Sequence, residues 1–408
     1  MIQNKVLFIG LVWPEPNSSA AGKRILQLVD FFVKRGDEVI FCSSASKSES
    51  SFDFSNWTAV KEVAIALNNV SFDIFVKELK PDIVVFDRFV SEEQFGWRIR
   101  ENCPNAIQIL DTEDLHFLRN AREIAFKKQT ELHFENPMKL REITSILRCD
   151  LSIMISEVEM KLLMNEFKIS KELLFYLPFL EEIENNKNLK SFEERRDFVF
   201  IGNFLHEPNW QCVLELKKTI WPKIKKKLPT ANLHIYGAYA SQKVTDLHQP
   251  KAGFWVHGKA ESAHEVIEKA RVLLAPLPFG AGQKGKFIDA MQMGTPIATN
   301  SLGAEAMFTH SIPGVVEDST DFFVQKTVEL YENQELWENA QQVGQEILKV
   351  HFDKNQWIPL LDQHLNFLQK NLKQHRQQNY LGQILHQNSM NALKYMSLWI
   401  EEKNKSAQ

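Results

Sequence analysis

Short apolar runs alternate with amphipathic helical patterns along most of the 408-residue chain. The runs are apolar at nearly every position, as expected for strands that helices cover on both faces of a parallel sheet. Such units stand on both sides of a polar, charge-rich segment at 181–197. The pattern therefore predicts an α/β fold with two doubly wound, Rossmann-like parallel-sheet domains joined by a linker. The predicted strands are 5–13, 38–43, 82–87, 106–110 and 151–155 in the first domain, and 198–202, 232–237, 253–258, 272–276, 296–300 and 314–317 in the second.

The alternation also predicts the domain boundaries. In two facing doubly wound domains, ligands bind at the carboxyl ends of the strands, so we expect the site in the cleft between them. The predicted parts are an N-terminal domain at 1–180, the linker at 181–197, a C-terminal domain at 198–350 and a helical tail at 351–408. The clearest helical patterns of the first domain are 21–35, 91–102 and 115–147.

The composition argues against several classes of partner and site. A formal net charge of −4 gives no electrostatic basis for binding nucleic acid. The four cysteines are far apart and form no CxxC pair, so we expect buried free thiols and neither disulfides nor zinc. The apolar start of the chain fits a strand better than a signal peptide, and no apolar stretch reaches the ~18 residues of a membrane span. We expect a cytoplasmic protein.

One segment of the second domain predicts a phosphate site. A strand ending near 276 leads into the sequence LPFGAGQKGK and then into a helix. Glycines let the backbone approach a ligand, and free N–H groups in the first turn of a helix favour an anion. Lys284 and Lys286 add positive charge at a helix N-terminus, where the helix dipole disfavours it. The alternative is an ordinary connection in which both lysines are solvated and Gly294 ends the helix.

The same segment carries a resemblance to a known family. The stretch PLPFGAGQKGKFIDAMQMGTPIATNSLGAEAM (276–307) resembles the donor-binding segment of GT-B glycosyltransferases in the large retaining family numbered 4. Three other segments are similar to parts of that family: 198–237 to the first βαβ unit of its C-terminal domain, 12–39 to its N-terminal loop and helix, and 389–405 to the tail of some members. The resemblance implies the GT-B fold, with a last helix that crosses back to the N-terminal domain.

The resemblance implies donor-binding residues in the second domain. The family has two carboxylates in this segment, one near the transferred sugar and one near the nucleotide ribose. The ribose position corresponds to Asp289, whereas the sugar position corresponds to Ala281, which has no carboxylate. Either the backbone N–H groups across Gly280, Ala281 and Gly282 hold the sugar instead, or the donor differs from the common ones. A competing interpretation is that Asp289 only pairs with Lys286 one turn earlier.

The expected diphosphate contacts also depart from the family pattern. Members often have an arginine and a lysine after the first strand of the C-terminal domain, where this chain has GNFLHEPNW. We therefore assign the diphosphate to Lys284 and Lys286, because a charge-assisted bond to phosphate is strong. The resemblance implies further donor-side residues: Gly22 in the N-terminal loop, Glu305 on the rim of the cleft, and Gly202, His206 and Asn209 in the segment GNFLHEPNW.

Charged residues near strand ends of the first domain predict the acceptor side. The helix near residue 21 is expected to have Ser18 or Ser19 as its N-cap, and Ser156 is expected to cap a later helix. Family members often place a histidine near the sugar at this end of the sheet, which corresponds here to His116, although a lone histidine is more often structural. The acceptor-side candidates are Lys23, Arg24, Asp87, Arg88, Asp111 and Asp114.

The acidic stretch after the strand at 106–110 has two other interpretations. Asp111, Glu113 and Asp114 are residue types that ligate Mg²⁺ or Mn²⁺. The two similar lobes are not typical of the metal-dependent glycosyltransferase fold, so we expect no metal site. Alternatively, Asp114 is a helix N-cap and Glu113 is solvated.

These residues, with the resemblance, predict a glycosyltransferase that moves a sugar from a nucleotide-sugar to an acceptor hydroxyl with retention, in cell-surface glycan or glycoconjugate synthesis. Lys284, Lys286 and His116 are the predicted catalytic residues. No cofactor or essential metal is expected; the partners are the nucleotide-sugar and a glycan, lipid-linked or protein acceptor, and the amphipathic tail leaves peripheral membrane association open. Two alternatives are a nucleotide-sugar epimerase on the same fold and a noncatalytic binding subunit. The missing carboxylate at Ala281 keeps the second alternative open.

Overall fold

The fold contains two parallel β-sheets, as the sequence predicts. The computed structural model describes residues 3–184, 188–308 and 311–406, so 185–187 of the predicted linker lie outside it. Every pair of neighbouring strands in these described sheets is parallel. The first strand of each domain lies inside its sheet, which is the doubly wound arrangement.

The strands are three to six residues long, and most of them are buried. The N-terminal sheet is formed by β1 (Lys5–Gly10), β2 (Glu38–Ser43), β3 (Val60–Ala64), β4 (Ile83–Asp87), β5 (Ile107–Asp111), β6 (Leu151–Met154) and β7 (Leu174–Tyr176). The C-terminal sheet is formed by β8 (Arg196–Ile201), β9 (Leu233–Tyr236), β10 (Phe254–Gly258), β11 (Ala270–Leu274), β12 (Ile297–Thr299) and β13 (Gly314–Val316). The strand order is β3-β2-β1-β4-β5-β6-β7 in the N-terminal sheet and β10-β9-β8-β11-β12-β13 in the C-terminal sheet. The edge strands β3 and β10 are the more exposed ones.

Helices cover both faces of the N-terminal sheet. Alternate residues of β1 enter two separate apolar cores: Val6 packs on one side of the sheet and Leu7 on the other. The Ser19 hydroxyl accepts a hydrogen bond from the Gly22 N–H at 3.0 Å and so caps the first helix. Ser156 caps the sixth helix in the same way. The helices are α1 (Ala20–Arg35), α2 (Ser71–Leu79), α3 (Arg88–Asn102), α4 (His116–Lys128), α5 (Pro137–Arg148) and α6 (Glu157–Asn165).

The C-terminal domain has its own core, in which the large rings of Trp221 and Trp337 are buried. Its helices are α7 (Glu207–Glu215), α8 (Trp221–Lys227), α9 (Gln242–Thr245), α10 (Ala263–Lys269), α11 (Gly285–Gln292), α12 (Ser301–Ala304), α13 (Thr320–Glu332) and α14 (Gln334–Ile347). Single 3₁₀ turns lie at Phe54–Asn56, Lys171–Leu173 and Pro250–Ala252, and π turns at Leu216–Ile220 and Leu348–Phe352.

The helical tail returns to the N-terminal domain. It consists of α15 (Lys354–Gln378) and α16 (Tyr380–Ser406). Leu361, Leu365 and Leu368 of α15 are part of the N-terminal core, and the Arg376 guanidinium donates to both carboxylate oxygens of Asp150 at 2.7 Å. Within the described residues, no helix is long and apolar enough to cross a membrane.

Several sequence predictions about elements were incomplete. Strands β3 and β7 were missed, since β3 contains Lys61 and Glu62 and β7 has only three residues. The single helix predicted over 115–147 is two helices, because Asn136 caps a new helix that begins at Pro137. Strand β8 begins before the predicted end of the linker at 197. The four cysteines are free and buried, as predicted.

Candidate functional site

A cleft of about 830 Å³ separates the two sheets at the carboxyl ends of their strands. Its walls are the loops after β1, β4 and β5 on the N-terminal side and those after β8, β9, β10 and β11 on the other. Fifteen of the predicted site residues line it: Gly22, Lys23, Asp87, Arg88, Asp114, His116, Gly202, His206, Asn209, Gly280, Ala281, Gly282, Lys284, Lys286 and Asp289. Arg24, Asp111 and Glu305 do not belong to this lining.

The glycines before α11 allow the two domains to approach closely. A Cβ added to Gly282, whose φ is +64°, would lie 2.8 Å from the Cβ of Asp114. A Cβ added to Gly285, the first residue of α11, would lie 2.9 Å from the Cβ of Ala20, the first residue of α1. Both distances are too short for real Cβ contacts, so larger residues would push the loop away. The N-termini of α1 and α11 therefore face each other across the cleft.

Lys284 is buried next to this junction, and Lys286 is half-buried, with its ammonium group enclosed. The Lys284 ammonium donates to the carbonyl oxygens of Gly282 and Glu305 at 2.7 and 3.2 Å. The Lys286 ammonium donates to Asn209 Oδ1 at 2.6 Å and lies 4.3 Å from the centroid of the Phe200 ring. Burial lowers the pKa of each lysine to about 8. The interpretation of these lysines as a solvated first turn was wrong.

Neither ammonium group forms an ion pair in the part of the chain that the structure describes: no carboxylate oxygen lies within 4.0 Å of either nitrogen. Two buried positive charges are thus placed at a helix N-terminus, which itself carries partial positive charge. Such an arrangement is costly unless an anion enters it. It is suited to binding a diphosphate.

Asp289 contacts two residues that the sequence did not connect with it. Its Oδ1 lies 3.5 Å from Lys23 Nζ, on α1 of the other domain, and 3.4 Å from His264 Nε2. The competing interpretation that Asp289 pairs with Lys286 was therefore wrong. Lys23 also lies 3.0 Å from Glu181, so it joins the two domains at the rim of the cleft.

A carboxylate from the N-terminal domain holds the loop around Ala281. Glu159 of α6 accepts a hydrogen bond from the Gly282 N–H through Oε1 and another from the Leu115 N–H through Oε2 at 3.0 Å. Burial raises the pKa of Glu159 to about 7. The Gly282 N–H, which was expected to hold the sugar, thus donates to protein. Glu159 was not predicted as a site residue, because its partner is more than a hundred residues away in sequence.

The segment after β8 packs tightly around Asn209. A Cβ on Gly202 would lie 2.7 Å from Asn209 Cγ, and Asn209 Nδ2 donates to the Asn203 carbonyl at 2.8 Å. Asn209 therefore orients Lys286 from one side while its own amide is fixed from the other. His206 lines the same part of the cleft, and burial, with Arg119 nearby, lowers its pKa.

The N-terminal wall contains matched pairs of charges. Arg88 donates through Nε to Asp87 Oδ1 at 3.0 Å, and Arg24 through Nε to Asp111 Oδ1 at 3.1 Å beneath the wall. Arg119 forms a third pair with Asp114. Each of these acids is thus paired with an arginine. Among the described residues, no group of three His, Cys, Asp or Glu side chains is arranged to hold a metal ion.

His116 begins α4 and lies between the wall and the cleft. Its Nε2 is 3.6 Å from Asp114 Oδ1, and its ring contacts the edge of Phe89. Burial, offset only in part by Asp114, lowers the pKa of His116 to about 4, so the imidazole is neutral at pH 7. The prediction of Asp114 as N-cap was wrong, because Glu142 accepts hydrogen bonds from the N–H groups of His116 and Phe117 instead.

One ion pair across the cleft was also missed. Arg122 of α4 donates to Glu305 Oε1 and Oε2 at 2.7 and 2.8 Å, and to the carbonyl oxygen of Gly280 at 2.7 Å. Glu305 was predicted as a rim residue, but its role here is to bind the other domain. One sequence feature could have indicated that Arg122 faces the cleft: Arg119 and Arg122 are three residues apart and so share a face of α4.

The fold is similar to those of solved glycosyltransferase structures. A point variant of TarM from S. aureus, in complex with fondaparinux, alpha-GlcNAc-glycerol and UDP, has a TM-score of 0.57 at 15% identity; the match covers 72% of this chain and 57% of that one. Anabaena HepE with UDP and glucose has a TM-score of 0.64 at 12% identity, over 90% of this chain and 100% of that one. For sucrose-phosphate synthase from Thermosynechococcus elongatus the TM-score is 0.65 at 13% identity, over 89% and 99% of the two chains.

The chain has the GT-B fold. Residues 195–333 match the family model described as "Glycosyl transferases group 1", so the family match lies in the GT-B domain that contains the two lysines. No curated protein matches the sequence. The expected resemblance is thus confirmed for the fold and, by the family match, for the C-terminal domain.

Proposed function

We propose that this GT-B protein is a glycosyltransferase that moves a sugar from a nucleotide-sugar to an acceptor hydroxyl with retention of configuration. The observation that carries the proposal is the pair of buried ammonium groups, Lys284 and Lys286, at the N-terminus of α11 without a carboxylate partner among the described residues. The family match of this domain and the UDP bound by TarM and HepE support a nucleoside diphosphate as the anion.

The lysines supply the charge that the reaction needs. The bond between the sugar C1 and the diphosphate oxygen breaks, and its electron pair leaves with the diphosphate. Lys284, Lys286 and the first N–H groups of α11 stabilise that negative charge. The acceptor oxygen bonds to C1 on the same face, and its proton passes to the departing phosphate oxygen, so no protein base is required. Since two ammonium groups already stabilise the leaving group, we propose that no essential metal takes part.

The other side chains of the cleft bind and orient. Asp289 is placed by Lys23 and His264 to accept hydrogen bonds from the ribose hydroxyls. Neutral His116 can accept a hydrogen bond from a sugar hydroxyl through one ring nitrogen and donate through the other, whereas a charged imidazolium could only donate. The acceptor is a glycan, a lipid-linked sugar or a protein, in line with a role in cell-surface glycan synthesis by a cytoplasmic or peripherally membrane-associated enzyme.

The first prediction tests the lysines directly. A thermal-shift panel of UDP-, GDP-, ADP- and dTDP-sugars identifies the donor, because a ligand that binds the folded protein stabilises it by mass action. The Lys284→Ala/Lys286→Ala variant should lose this stabilisation and all sugar transfer, while the matched variant Lys226→Ala/Lys227→Ala, on an exposed part of α8, should keep both.

The same assay distinguishes the alternatives. Release of free nucleotide with an epimerised sugar and no glycosylated acceptor would indicate an epimerase. Nucleotide binding with neither hydrolysis nor transfer would indicate a noncatalytic subunit. Unchanged nucleotide affinity in the double lysine variant would overturn the assignment of the diphosphate site.

A further inference from the structure

Glu113 is a buried carboxyl group in the N-terminal wall of the cleft with an unused hydrogen-bonding atom. It follows β5, lines the cavity, and is 8% exposed. Its Oε1 has no hydrogen-bond partner among the described residues. Its φ of +57° places a non-glycine residue in the left-handed region. The expectation that Glu113 is solvated was wrong.

The surroundings of Glu113 make it a neutral group. Burial, together with the charge of Asp111, raises its pKa to about 8. Arg24 of α1 and Arg88 of α3 lower the pKa, and Asp87 at the end of β4 raises it, but the sum leaves the carboxyl group protonated at pH 7. A protonated carboxyl group both donates and accepts a hydrogen bond, as a hydroxyl group does.

The wall around Glu113 offers no free positive charge for an anionic ligand. In the described structure, Arg88 is paired with Asp87 and Arg119 with Asp114. The guanidinium beneath them, Arg24, is paired with Asp111. The buried lysines lie on the opposite wall, where the diphosphate is proposed to bind. A phosphorylated or carboxylated ligand at Glu113 would therefore lose its hydration without gaining a counter-charge.

Resting on the proposed function, we propose that Glu113 binds a hydroxyl group of the acceptor and that the acceptor is uncharged at this position, as a sugar is and a phosphorylated polyol is not. Oε1 is enclosed in the wall, so the hydroxyl would bond to the side of the carboxyl group that lines the cleft. A hydrogen bond to a polar group that is otherwise without a partner is favourable for binding. This assigns acceptor recognition to a residue outside the charged pairs of the wall.

The second prediction tests this site with the donor identified by the thermal-shift panel. The acceptor probes are the methyl glycosides of glucose, galactose and N-acetylglucosamine, with glycerol 3-phosphate as the anionic probe. The wild-type protein should transfer to at least one methyl glycoside in preference to glycerol 3-phosphate. Glu113→Leu should raise the acceptor KM about tenfold or more and leave nucleotide affinity unchanged, whereas Glu113→Gln, which keeps a donor and an acceptor, should retain most of the wild-type acceptor KM.

The pH dependence separates recognition from a structural role. The measurement uses a saturating nucleotide-sugar, whose diphosphate keeps Lys284 and Lys286 charged although burial lowers the pKa of each to about 8. As pH rises through about 8, Glu113 ionises and can no longer donate, so the wild-type acceptor KM should rise, while that of Glu113→Gln should stay flat. An acceptor KM that is unchanged in Glu113→Leu, or a preference for glycerol 3-phosphate, would overturn the inference while the proposed function stands. A wild-type protein that neither hydrolyses nor transfers any donor would overturn the proposed function and this inference with it.

Discussion

At the scale of single residues, Lys286 combines a folding cost with the binding role proposed for it. Its ammonium has one amide oxygen and the face of one aromatic ring as partners, and burial lowers its pKa from 10.5 to about 8. The unfolded chain therefore binds more protons than the folded chain between pH 8 and pH 10.5, so the charge of Lys286 opposes folding below about pH 8. A bound diphosphate would favour the charged form and reverse this cost.

The third prediction follows from that cost. Lys286→Met keeps an unbranched side chain, one atom shorter, and removes the buried charge, so it should raise the free energy of unfolding by roughly 1–3 kcal/mol at pH 7. The gain should shrink as pH rises from 8 to 10.5, because the wild-type lysine then loses its proton. Denaturant unfolding at several pH values measures this, and nucleotide affinity should fall by about tenfold or more in the same variant. A loss of stability at pH 7 would contradict the argument.

Site residues could be predicted from the sequence where the residue type is disfavoured by the local structure around it. Lys284 and Lys286 could be identified from the sequence because lysine is disfavoured at a helix N-terminus and glycine-rich turns precede it. Glu159 and Arg122 could not, because each acts on a loop that lies far away in sequence. The prediction of Asp114 as N-cap was wrong for the same reason: Glu142, from the next helix, accepts the hydrogen bonds of the first N–H groups of α4.

At the scale of elements, the decisive feature is the approach of α1 and α11. Both helices direct their N-termini, and so their positive dipole ends, at the same part of the cleft. The contact is possible because Gly285 has no Cβ, and Ala20 opposite it has the smallest side chain that is not glycine. An anion between the two N-termini would offset their mutual repulsion.

The fourth prediction concerns this contact. Gly285→Ala should force the helices apart, since the new Cβ would lie 2.9 Å from Ala20 Cβ, and overpacking of this kind costs about 1–3 kcal/mol. Nucleotide affinity, measured by titration calorimetry, should fall roughly tenfold. Adding Ala20→Gly removes the opposing methyl group and should restore most of the affinity. If the second change restored nothing, helix separation would not be the cause.

Elements were predictable in proportion to their hydrophobic pattern. The buried strands of both sheets were found because nearly every residue in them is apolar. Strand β3 was missed, since Val60 is its one buried residue. The division of α4 from α5 depends on a single N-cap at Asn136. The apolar periodicity of 115–147 continues across this residue and therefore does not reveal the break.

At the scale of the whole molecule, polar contacts join the two domains around the cleft. Tyr239 donates to Glu15 at 2.7 Å, Asn203 donates to the Ser18 carbonyl at 3.1 Å, and Arg122 holds Glu305 through two bonds. Closure excludes water from the site and strengthens its electrostatic interactions. The sequence predicted two domains and a cleft, but the contacts that close it involve pairs separated by well over a hundred residues.

The last prediction tests whether Arg122 holds the domains together. It makes three hydrogen bonds across the cleft, including one to the Gly280 carbonyl in the loop before α11, and hydrogen bonds to charged groups are worth about 1.5–3 kcal/mol each. Arg122→Ala should enlarge the radius of gyration of the ligand-free protein in small-angle scattering and lower kcat/KM for the donor by roughly tenfold or more. The matched control is Arg141→Ala, which removes a similar two-bond pair with Glu93 inside the N-terminal domain and should change neither quantity. If both substitutions changed the radius of gyration and kcat/KM equally, loss of any such ion pair would explain the effect. Arg122 would then have no particular part in holding the domains together.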